Sequence, residues 1–343
     1  MSTRVGINGF GRIGRTAFRA AIERNERIEW VGINDLIDVS MAVQLLRYDS
    51  TYGPFEGDVE SRDDALIVNG TEIPFFAESD PAALPWTDVR AEVVIDSTGR
   101  FRERDGLAGH LDAGARKVVL SAPAKGAGVD ATVVLGVNFD EAYDAERHDV
   151  ISMASCTTNC LAPVAKVIHE GLGIRHGLMT TVHAYTGDQN LQDGPHKDPR
   201  RARAAGINIV PTSTGAAKAL GLVIPELEGK LHGYALRVPV VTGSVVDLTL
   251  EVERPTTADE INAMFADAAA SGPLASVLRY TSDPIVSTDI IKSPYSSIFD
   301  SGLTSVIDGT SVKVVAWYDN EWGYSNRLVD IVQRVLANVP QPA

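Results

Sequence analysis

The stretch Val5-Gly-Ile-Asn-Gly-Phe-Gly-Arg-Ile-Gly14 decides how the N-terminal half of this 343-residue chain folds. Its Gly-x-Gly-x-x-Gly pattern lies between a short apolar run and a segment of helical character, and Asn34-Asp35 ends the next apolar run about 20 residues on. Gly9 and Gly11 let a pyrophosphate approach the backbone, and Gly14 lets the helix pack on the strand. The pattern predicts a dinucleotide site. The alternative is a tight turn that Asp35 simply caps.

Asp35 and the start of the predicted helix indicate which dinucleotide is bound. The free backbone amides of Arg12 and Ile13 suit the negative charge of a pyrophosphate. Asp35 can accept hydrogen bonds from both ribose hydroxyls and would repel a 2′-phosphate. We therefore expect NAD rather than NADP as the cofactor.

Short apolar runs alternate with helical stretches through the first half of the chain. Four of these runs, Arg4–Ile7, Ile28–Ile33, Val93–Ile95 and Val118–Leu120, are typical of buried parallel strands. Residues 12–24 predict a helix between the first two strands. This order predicts an α/β Rossmann domain with a doubly wound sheet.

The pattern changes after Cys156. Residues 246–252 alternate apolar with polar or charged side chains, which predicts a strand with one solvated face. Leu231–Val240 and Val312–Tyr318 predict further strands, and Thr257-Ala-Asp-Glu260 is a capping box that begins a helix through Ala270. The second half is therefore predicted to be an α+β domain with a mixed or antiparallel sheet. One face of a last helix carries Leu328, Ile331, Val332 and Val335.

Composition narrows the class of protein. The length favours two domains, and 44% hydrophobic with 22% charged residues is typical of a globular protein. A formal net charge of -14 argues against general binding to nucleic acid or to anionic membranes. We expect no signal peptide and no membrane span, since no apolar run approaches the roughly 20 residues a span requires. Two cysteines give no disulfide framework, which favours a cytoplasmic location.

Both cysteines lie in Ser155-Cys-Thr-Thr-Asn-Cys160, and a separate Thr-Val-His-Ala-Tyr run carries His183. Helical character over Thr157–Glu170 puts Cys156 at a helix N-terminus, where free amides favour the thiolate. A thiol, a histidine base and a nicotinamide cofactor are the parts needed to oxidise an aldehyde through a thioester. The alternatives are a buried structural cysteine and a core histidine.

Cys160 lies one helical turn after Cys156, which raises the possibility of zinc binding. No further ligand cluster accompanies the pair at metal spacing, so we expect no metal. Cys160 is expected either to pack in the core or to trap an oxidised Cys156 as a disulfide.

A basic run stands out in this acidic chain and is either a solvated loop or a source of positive charge for phosphate groups. Hydroxyls, a free glycine amide and an arginine are usual means of holding phosphate, and Thr212-Ser-Thr-Gly215 and Arg237 supply them. The basic run consists of His196, Lys197, Arg200, Arg201 and Arg203.

Together these residues resemble the family of phosphorylating glyceraldehyde-3-phosphate dehydrogenases of glycolysis, nearly from end to end. Ser155-Cys-Thr-Thr-Asn-Cys-Leu-Ala-Pro163 is similar to the active-site signature of that family. The other matching stretches are Val68–Gly70, Ile95–Phe101, Ser121–Lys125, His196–Asp198, Arg200–Ala205, Ser213–Ala219 and Trp317–Tyr324.

The resemblance implies a role for each site residue. Cys156 would be the nucleophile and His183 its base. Positions that hold the substrate C3 phosphate match Thr186, Asp188 and Arg237. Positions around the inorganic phosphate match Ser155, Thr157, Thr214 and Gly215, with Arg201 supporting them. Positions that hold NAD match Asn8, Gly9, Gly11, Arg12, Ile13, Gly14, Asp35, Ser97, Thr98, Ser121, Asn320 and Tyr324.

The resemblance also implies domain bounds and an assembly. It divides the chain into an NAD-binding domain (1–155), a catalytic domain (156–320) and a C-terminal helix (321–343) that returns to the first domain. The stretch from about Ala184 to Asn208 would reach a neighbouring subunit of a homotetramer.

Two places depart from the family pattern. Residues 238–243 read Val-Pro-Val-Val-Thr-Gly, where the family more often has Val-Pro-Thr-Pro-Asn-Val, and this change affects the local loop. Gly194-Pro195 stands where NAD-specific members often carry Leu-Pro, so the wall beside the adenosine ribose is less bulky.

The implied reaction converts glyceraldehyde 3-phosphate to 1,3-bisphosphoglycerate with NAD and inorganic phosphate. Cys156 attacks the aldehyde, His183 takes the proton, hydride leaves for NAD, and phosphate cleaves the resulting thioester. One alternative is erythrose-4-phosphate dehydrogenase, which has the same fold and hydrolyses its thioester. Another is a binding or regulatory protein that keeps the fold without the chemistry. The phosphate-binding residues favour the first reading, and the intact Cys156, His183 and Arg237 argue against the last.

Overall fold

The structure is a computed structural model that describes residues 2–125 and 128–337, and the chain in it divides into two compact units. The first unit runs to Val133 and includes Glu141–Ala154 and the chain from Ser325 onward. The second unit comprises Val134–Asp140 and Ser155–Tyr324. The parts of the predicted domains at positions 1, 126–127 and 338–343 lie outside the described residues.

The segment Val134–Asp140 belongs to the second unit, whereas the predicted bounds place it in the first domain. Lys166 Nζ donates to the carbonyl oxygen of Val137 at 2.8 Å. Gly136, with φ of +77°, lies so close to Pro273 that a Cβ would be 2.7 Å from its carbonyl oxygen. These short-range contacts hold the segment against the helix Cys156–Leu172 and the residues after the helix Ala258–Ala270, which sequence periodicity cannot reveal.

The first unit contains a nine-stranded sheet in the order β3-β4-β5-β2-β1-β6-β7-β9-β8. β1 pairs in parallel with β2 on one side and β6 on the other, which makes it the point at which the strand order reverses. Ligands of doubly wound sheets bind at the carboxyl ends of strands at such a point. The strands are β1 (Thr3–Asn8), β2 (Ile28–Asn34), β3 (Val59–Arg62), β4 (Ala65–Val68), β5 (Thr71–Phe76), β6 (Val93–Asp96), β7 (Lys117–Leu120), β8 (Ala131–Thr132) and β9 (Val150–Ser152).

The second unit contains an eight-stranded mixed sheet, in the order β11-β12-β10-β13-β17-β15-β14 with β16 on β17. β10 lies between a parallel partner, β12, and an antiparallel partner, β13. The strands are β10 (Ile174–Ala184), β11 (Val210–Ser213), β12 (Leu231–Val238), β13 (Ser244–Val252), β14 (Leu278–Thr281), β15 (Ser297–Asp300), β16 (Ser305–Ile307) and β17 (Ser311–Tyr318).

The described residues include the predicted helices after residues 11, 155 and 257 and near the C-terminus. The α-helices are α1 (Arg12–Glu23), α2 (Val39–Arg47), α3 (Arg104–Asp112), α4 (Phe139–Ala142), α5 (Cys156–Leu172), α6 (Ala216–Val223), α7 (Ala258–Ala270) and α8 (Trp322–Arg334). Short 3₁₀ helices span Pro81–Ala83, Pro225–Leu227, Ser287–Ile290 and Ser301–Leu303. No helix within the described ranges combines the length and the apolarity that crossing a bilayer demands.

The fold class predicted from the sequence is confirmed, a Rossmann sheet first and a mixed sheet second. β13 buries Val246, Leu248, Leu250 and Val252, as the alternation predicted. Thr257 caps α7 by accepting from the Glu260 amide at 3.2 Å. A capping box also requires the Glu260 carboxylate to accept a hydrogen bond from the Thr257 amide. That part of the prediction is wrong, because the Glu260 carboxylate instead accepts hydrogen bonds from Arg254 and Thr256.

The helix face predicted near the C-terminus is buried. Leu328, Ile331, Val332 and Val335 have exposed fractions of zero. Within the first unit, Arg24 after α1 donates to Asp330 at 2.6 Å and to the Asn326 side chain at 3.0 Å. An apolar face and an ion pair therefore hold the end of the chain in the unit that carries the dinucleotide pattern.

Candidate active site

Cys156 is the first residue of α5, in the second unit. Ser155 is the N-cap, and its Oγ accepts from the Thr158 amide at 3.0 Å. Ala154, which precedes the cap, has a φ of +54°, so the chain turns sharply into the helix. Cys156 is partly exposed and free. The unpaired amides of the first helical turn favour negative charge at this sulfur.

His183 faces the Cys156 sulfur from β10. Its Nε2 lies 3.5 Å from Sγ, and its Nδ1 lies 2.7 Å from the carbonyl oxygen of Ala184. A carbonyl oxygen can only accept, so Nδ1 carries the ring proton. Nε2 is consequently an unprotonated acceptor, which is the form a base for the Cys156 thiol requires.

Arg237 lies beside this pair on β12, where it is the register partner of His183. Its Nη1 donates to the Ala184 carbonyl and to Thr186 Oγ1, both at 3.1 Å. Nη1 also lies 2.9 Å from His183 Nδ1, and we assign the Nδ1 proton on the shorter contact of 2.7 Å with the Ala184 carbonyl oxygen. Nε of Arg237 is buried and has no hydrogen-bond partner among the described residues. An unpartnered buried guanidinium donor suits an anionic ligand.

Burial and Arg237 together set the charge of the reactive pair. Burial, helped by the Arg237 charge, lowers the pKa of His183 to about 3. Burial raises the pKa of the Cys156 thiol, and Arg237 opposes that effect. Both shifts favour a neutral thiol beside a neutral imidazole.

Thr186, Asp188 and Arg201 form a hydrogen-bonded chain that ends at Arg237. Arg201 Nη1 pairs with Asp188 Oδ2 at 2.6 Å, and Thr186 Oγ1 donates a short hydrogen bond to Asp188 Oδ1. Arg201 Nε also donates to Thr212 Oγ1 at 2.9 Å. A carboxylate repels phosphate, so Asp188 can act only through the two donors that it holds in place. The predicted C3-phosphate residues are thus brought together.

The residues predicted around the inorganic phosphate are not all free. Thr157 Oγ1 is engaged with Tyr318 Oη at 2.9 Å, and the Ser155 hydroxyl caps α5. Thr214 Oγ1 accepts from the Ala216 amide at 3.2 Å. Gly215 is the N-cap of α6, which packs on α5, and a Cβ at Gly215 would meet no protein atom within 4 Å.

The three fingerprint glycines of the first unit have three different surroundings. A Cβ at Gly14 would lie 2.2 Å from the Gly9 carbonyl oxygen, so only glycine allows this helix–strand contact. Gly9 has a φ of +94°, and its Cβ would lie 2.6 Å from the Thr98 amide. A Cβ at Gly11 would meet no atom within 4 Å, which leaves open space before the N-terminus of α1. This arrangement fits a pyrophosphate.

The other predicted NAD residues of the first unit lie at strand ends or on α1. Asp35 Oδ2 accepts from the Phe10 amide at 2.6 Å, and Ser97 Oγ donates to the Gly9 carbonyl at 2.6 Å. The Ser121 amide donates to the Asp96 carbonyl at 2.9 Å. Arg12 pairs with Asp49. Asn8 and Thr98 both bind the Asp96 carboxylate.

Comparison with known proteins decides the family. Residues 3–104 match the family described as glyceraldehyde 3-phosphate dehydrogenase, NAD binding domain, and residues 155–320 match its C-terminal domain. Glyceraldehyde-3-phosphate dehydrogenase 1 of Streptomyces avermitilis is 59% identical over 331 residues, which are 96% of this chain and 98% of that protein. Glyceraldehyde-3-phosphate dehydrogenase of Mycobacterium avium is 58% identical over 342 residues, or 98% and 99%.

The chain belongs to the glyceraldehyde-3-phosphate dehydrogenase family. The resemblance stated from the motifs is confirmed, and NAD is the cofactor of its N-terminal domain. Residues 105–154 lie between the two matched regions.

Residues 238–243, which depart from the family pattern, lie beside Asn320 in the second unit. Asn320 Oδ1 accepts hydrogen bonds from the Gly243 amide at 3.2 Å and Ser244 Oγ at 2.9 Å, while the Thr242 hydroxyl donates to Asp319 Oδ1 at 2.8 Å. With its oxygen saturated, Asn320 presents only its amide nitrogen as a donor. Gly243 has a φ of +89°, and its Cβ would lie 2.5 Å from the Ser287 carbonyl oxygen, so glycine is required there. Tyr324 is buried, which raises the pKa of its hydroxyl well above the usual value.

Tyr318 is a site residue that the motif analysis did not single out. Its hydroxyl bridges Thr157 Oγ1 at 2.9 Å and Thr181 Oγ1 at 2.8 Å, and its ring packs edge-on against His183. The only sequence signal was its place in the Trp317–Tyr324 stretch.

Within the described residues, no group of three or more His, Cys, Asp or Glu side chains is arranged to hold a metal ion.

Proposed function

We propose that this protein catalyses the NAD-dependent oxidation and phosphorylation of D-glyceraldehyde 3-phosphate to 1,3-bisphosphoglycerate, in glycolysis and gluconeogenesis. The observation that carries the proposal is the 3.5 Å contact between Cys156 Sγ and His183 Nε2, beside the unpartnered buried Nε of Arg237. The Cys156 thiol, its proposed base His183 and a hydrogen-bond donor for an anion, Arg237, therefore lie next to one another in the second unit.

The first chemical step is attack of the Cys156 sulfur on the aldehyde carbon. As the carbon–sulfur bond forms, His183 Nε2 takes the thiol proton, and the carbonyl oxygen gains the electron pair of the broken π bond. The imidazolium so formed donates to that oxygen and, with the Cys156 amide, stabilises its charge. The product of the step is a thiohemiacetal on Cys156.

Oxidation and release follow from the same groups. His183 accepts the hydroxyl proton of the thiohemiacetal, and the carbon becomes a thioester by loss of a hydride. NAD supplies the hydride acceptor when it is bound. Phosphate then attacks the thioester carbon, the carbon–sulfur bond breaks, and the sulfur regains a proton from His183. The products are an acyl phosphate and the free Cys156 thiol.

Two anion subsites explain why phosphate rather than water releases the product. Arg237 and Thr186 form the proposed subsite for the C3 phosphate of the substrate. The ion pair of Arg201 with Asp188 holds that subsite in place. Gly215, with open space at its Cα, and the hydroxyl of Thr214 are proposed for the inorganic phosphate. The relatives named glyceraldehyde-3-phosphate dehydrogenase do not favour the erythrose-4-phosphate alternative.

We place the active protein in a homotetramer in the cytoplasm. β10 and β12 present Leu178 and Tyr234 on one exposed sheet face, and the loop between β10 and β11 exposes Leu191, Ile207 and Ile209. Such an apolar surface is typical of a protein–protein interface.

The proposed cytoplasmic location is supported by the two cysteines, which are both free, as is usual in a reducing compartment.

The test is the rate of NADH formation from glyceraldehyde 3-phosphate, with and without inorganic phosphate, and with NADP in place of NAD. Strong phosphate dependence with NAD supports the proposal. An equal rate without phosphate contradicts it and indicates hydrolytic release. Comparable rates with NADP would show that Gly194 outweighs Asp35 in cofactor choice.

A further inference from the structure

A row of buried polar side chains lies at the strand ends that carry the dinucleotide pattern. β1, β2 and β6 end at Asn8, Asn34 and Asp96, which are register partners in the sheet. Their exposed fractions are 3%, 3% and 0%. Asn34 Nδ2 donates to Asn8 Oδ1 at 2.7 Å, and Asn8 Nδ2 donates to Asp96 Oδ2 at 2.9 Å. Side chains thus join the three strand ends.

The row continues into α3 through His110, which is completely buried. Trp86 Nε1 donates to His110 Nδ1 at 3.0 Å, and an indole nitrogen has no acceptor function. Nδ1 is therefore unprotonated, and the ring proton resides on Nε2, 3.2 Å from Asp96 Oδ2. His110 is a neutral donor to Asp96. The Asn8 amide nitrogen, 3.2 Å from His110 Nε2, is a second donor converging on the same oxygen.

Close packing holds Trp86 in this row. A Cβ at Gly6 would lie 2.7 Å from the indole ring, and one at Gly32 would lie 3.2 Å from it. Trp86 therefore lies directly against the backbones of β1 and β2. Its nitrogen meets His110 at a fixed point, because neither strand has room for the ring to shift.

The other oxygen of Asp96 holds the loop after β6. Asp96 Oδ1 accepts from the Thr98 amide at 3.2 Å and from Thr98 Oγ1 at 2.8 Å. The Gly9 turn contacts the same loop, since Ser97 Oγ donates to the Gly9 carbonyl at 2.6 Å. Four donors saturate the carboxylate, so a change at His110 is transmitted to the loop that faces the fingerprint turn.

We propose that His110 is a positioning residue for the NAD cofactor. His110 acts through Asp96 to fix Ser97 and Thr98 against the Gly9 turn. The inference rests on the proposed placing of NAD at these strand ends. A buried polar row contributes little net stability compared with apolar packing, but it allows only one arrangement of its members. That property suits a site whose backbone groups must be in place before the dinucleotide arrives.

The test compares NAD binding by the full-length parent and by His110→Met and His110→Gln, using isothermal titration and thermal unfolding. Methionine keeps bulk but removes the donor to Asp96 and the acceptor for Trp86, so we expect the Kd for NAD to rise about tenfold. The kcat at saturating NAD should stay within about twofold, because no reacting atom is touched. Glutamine has both a donor and an acceptor and should restore most of the affinity.

Leu107→Ala is the matched control, because Leu107 is a buried residue of the same helix that packs against Val118, Leu120 and Val150. It should lower the unfolding temperature but leave the Kd for NAD within about twofold. If His110→Met fails to fold, Trp86→Phe removes the indole donor but keeps an aromatic ring, and it should still weaken NAD binding severalfold. Unchanged Kd values in the folded His110 or Trp86 variants overturn the inference, whereas a parent that does not bind NAD overturns the proposed function.

Discussion

Cys156 Sγ lies 3.5 Å from His183 Nε2, and the other ring nitrogen of His183 donates to the carbonyl oxygen of its own neighbour, Ala184. The backbone of β10 therefore selects the tautomer that can accept the Cys156 proton. Arg237, across the parallel strand pair, donates to that same carbonyl. One backbone oxygen thus orients both the proposed base and the proposed anion-binding residue.

Replacement of Cys156 with Ser should lower dehydrogenase turnover by at least about a thousandfold, because a hydroxyl is a far weaker nucleophile than a thiol. NAD binding, measured by titration, should be unchanged. Cys160→Ala is the matched control, because Cys160 is buried against Ser297 and Ala316 and should leave turnover intact. Normal turnover by Cys156→Ser would exclude a covalent mechanism.

The buried imidazole of His183 should make stability depend on pH. Its pKa falls from 6.5 to about 3 on folding, so below pH 6.5 the unfolded chain takes up a proton that the folded chain refuses. Stability should therefore fall as the pH is lowered from 6.5 towards 3. Thermal unfolding of the parent and of His183→Gln across this window checks the sign. Parallel pH profiles for the two proteins would show that His183 is not the cause.

Arg237→Ala should reduce kcat/KM for glyceraldehyde 3-phosphate by about a hundredfold, because a charge-assisted contact to phosphate is lost. The rate with unphosphorylated glyceraldehyde should change much less, since that substrate lacks the anion. Arg203→Ala is the control on the loop between β10 and β11, where Arg203 forms an exposed ion pair with Asp193. Equal losses with both substrates would mean that Arg237 serves His183 rather than the substrate phosphate.

The second and third fingerprint glycines, Gly11 and Gly14, should respond differently to alanine. Gly14→Ala places a Cβ 2.2 Å from the Gly9 carbonyl oxygen and should destabilise the fold by about 3 kcal/mol. Gly11→Ala enters open space, so we expect unchanged stability but weaker NAD binding. Denaturant unfolding and NAD titration separate the two effects. A stable Gly14→Ala variant would contradict the close helix–strand contact.

Much of the fold followed from local patterns. The glycine spacing of residues 9–14, the apolar runs of β1, β2, β6 and β7, and the alternation in β13 each depend on neighbours close in sequence. Such patterns reflect backbone geometry with a period of two or about 3.6 residues, and they are readable without a partner. The same holds for Cys156 at a helix start, because the N-cap Ser155 is adjacent to it.

Only the tertiary structure decided which distant groups meet. Thr157, Thr181 and Tyr318 share one hydrogen-bonded chain, and Gly243 and Ser244 hold Asn320, although no local pattern links them. The tautomers of His183 and His110 likewise follow from partners brought by other strands and helices. By itself, the sequence determined the fold class and the family, and it predicted Cys156 as the nucleophile. Packing decided proton positions and orientations, because a hydrogen bond depends on distances that chain separation does not encode.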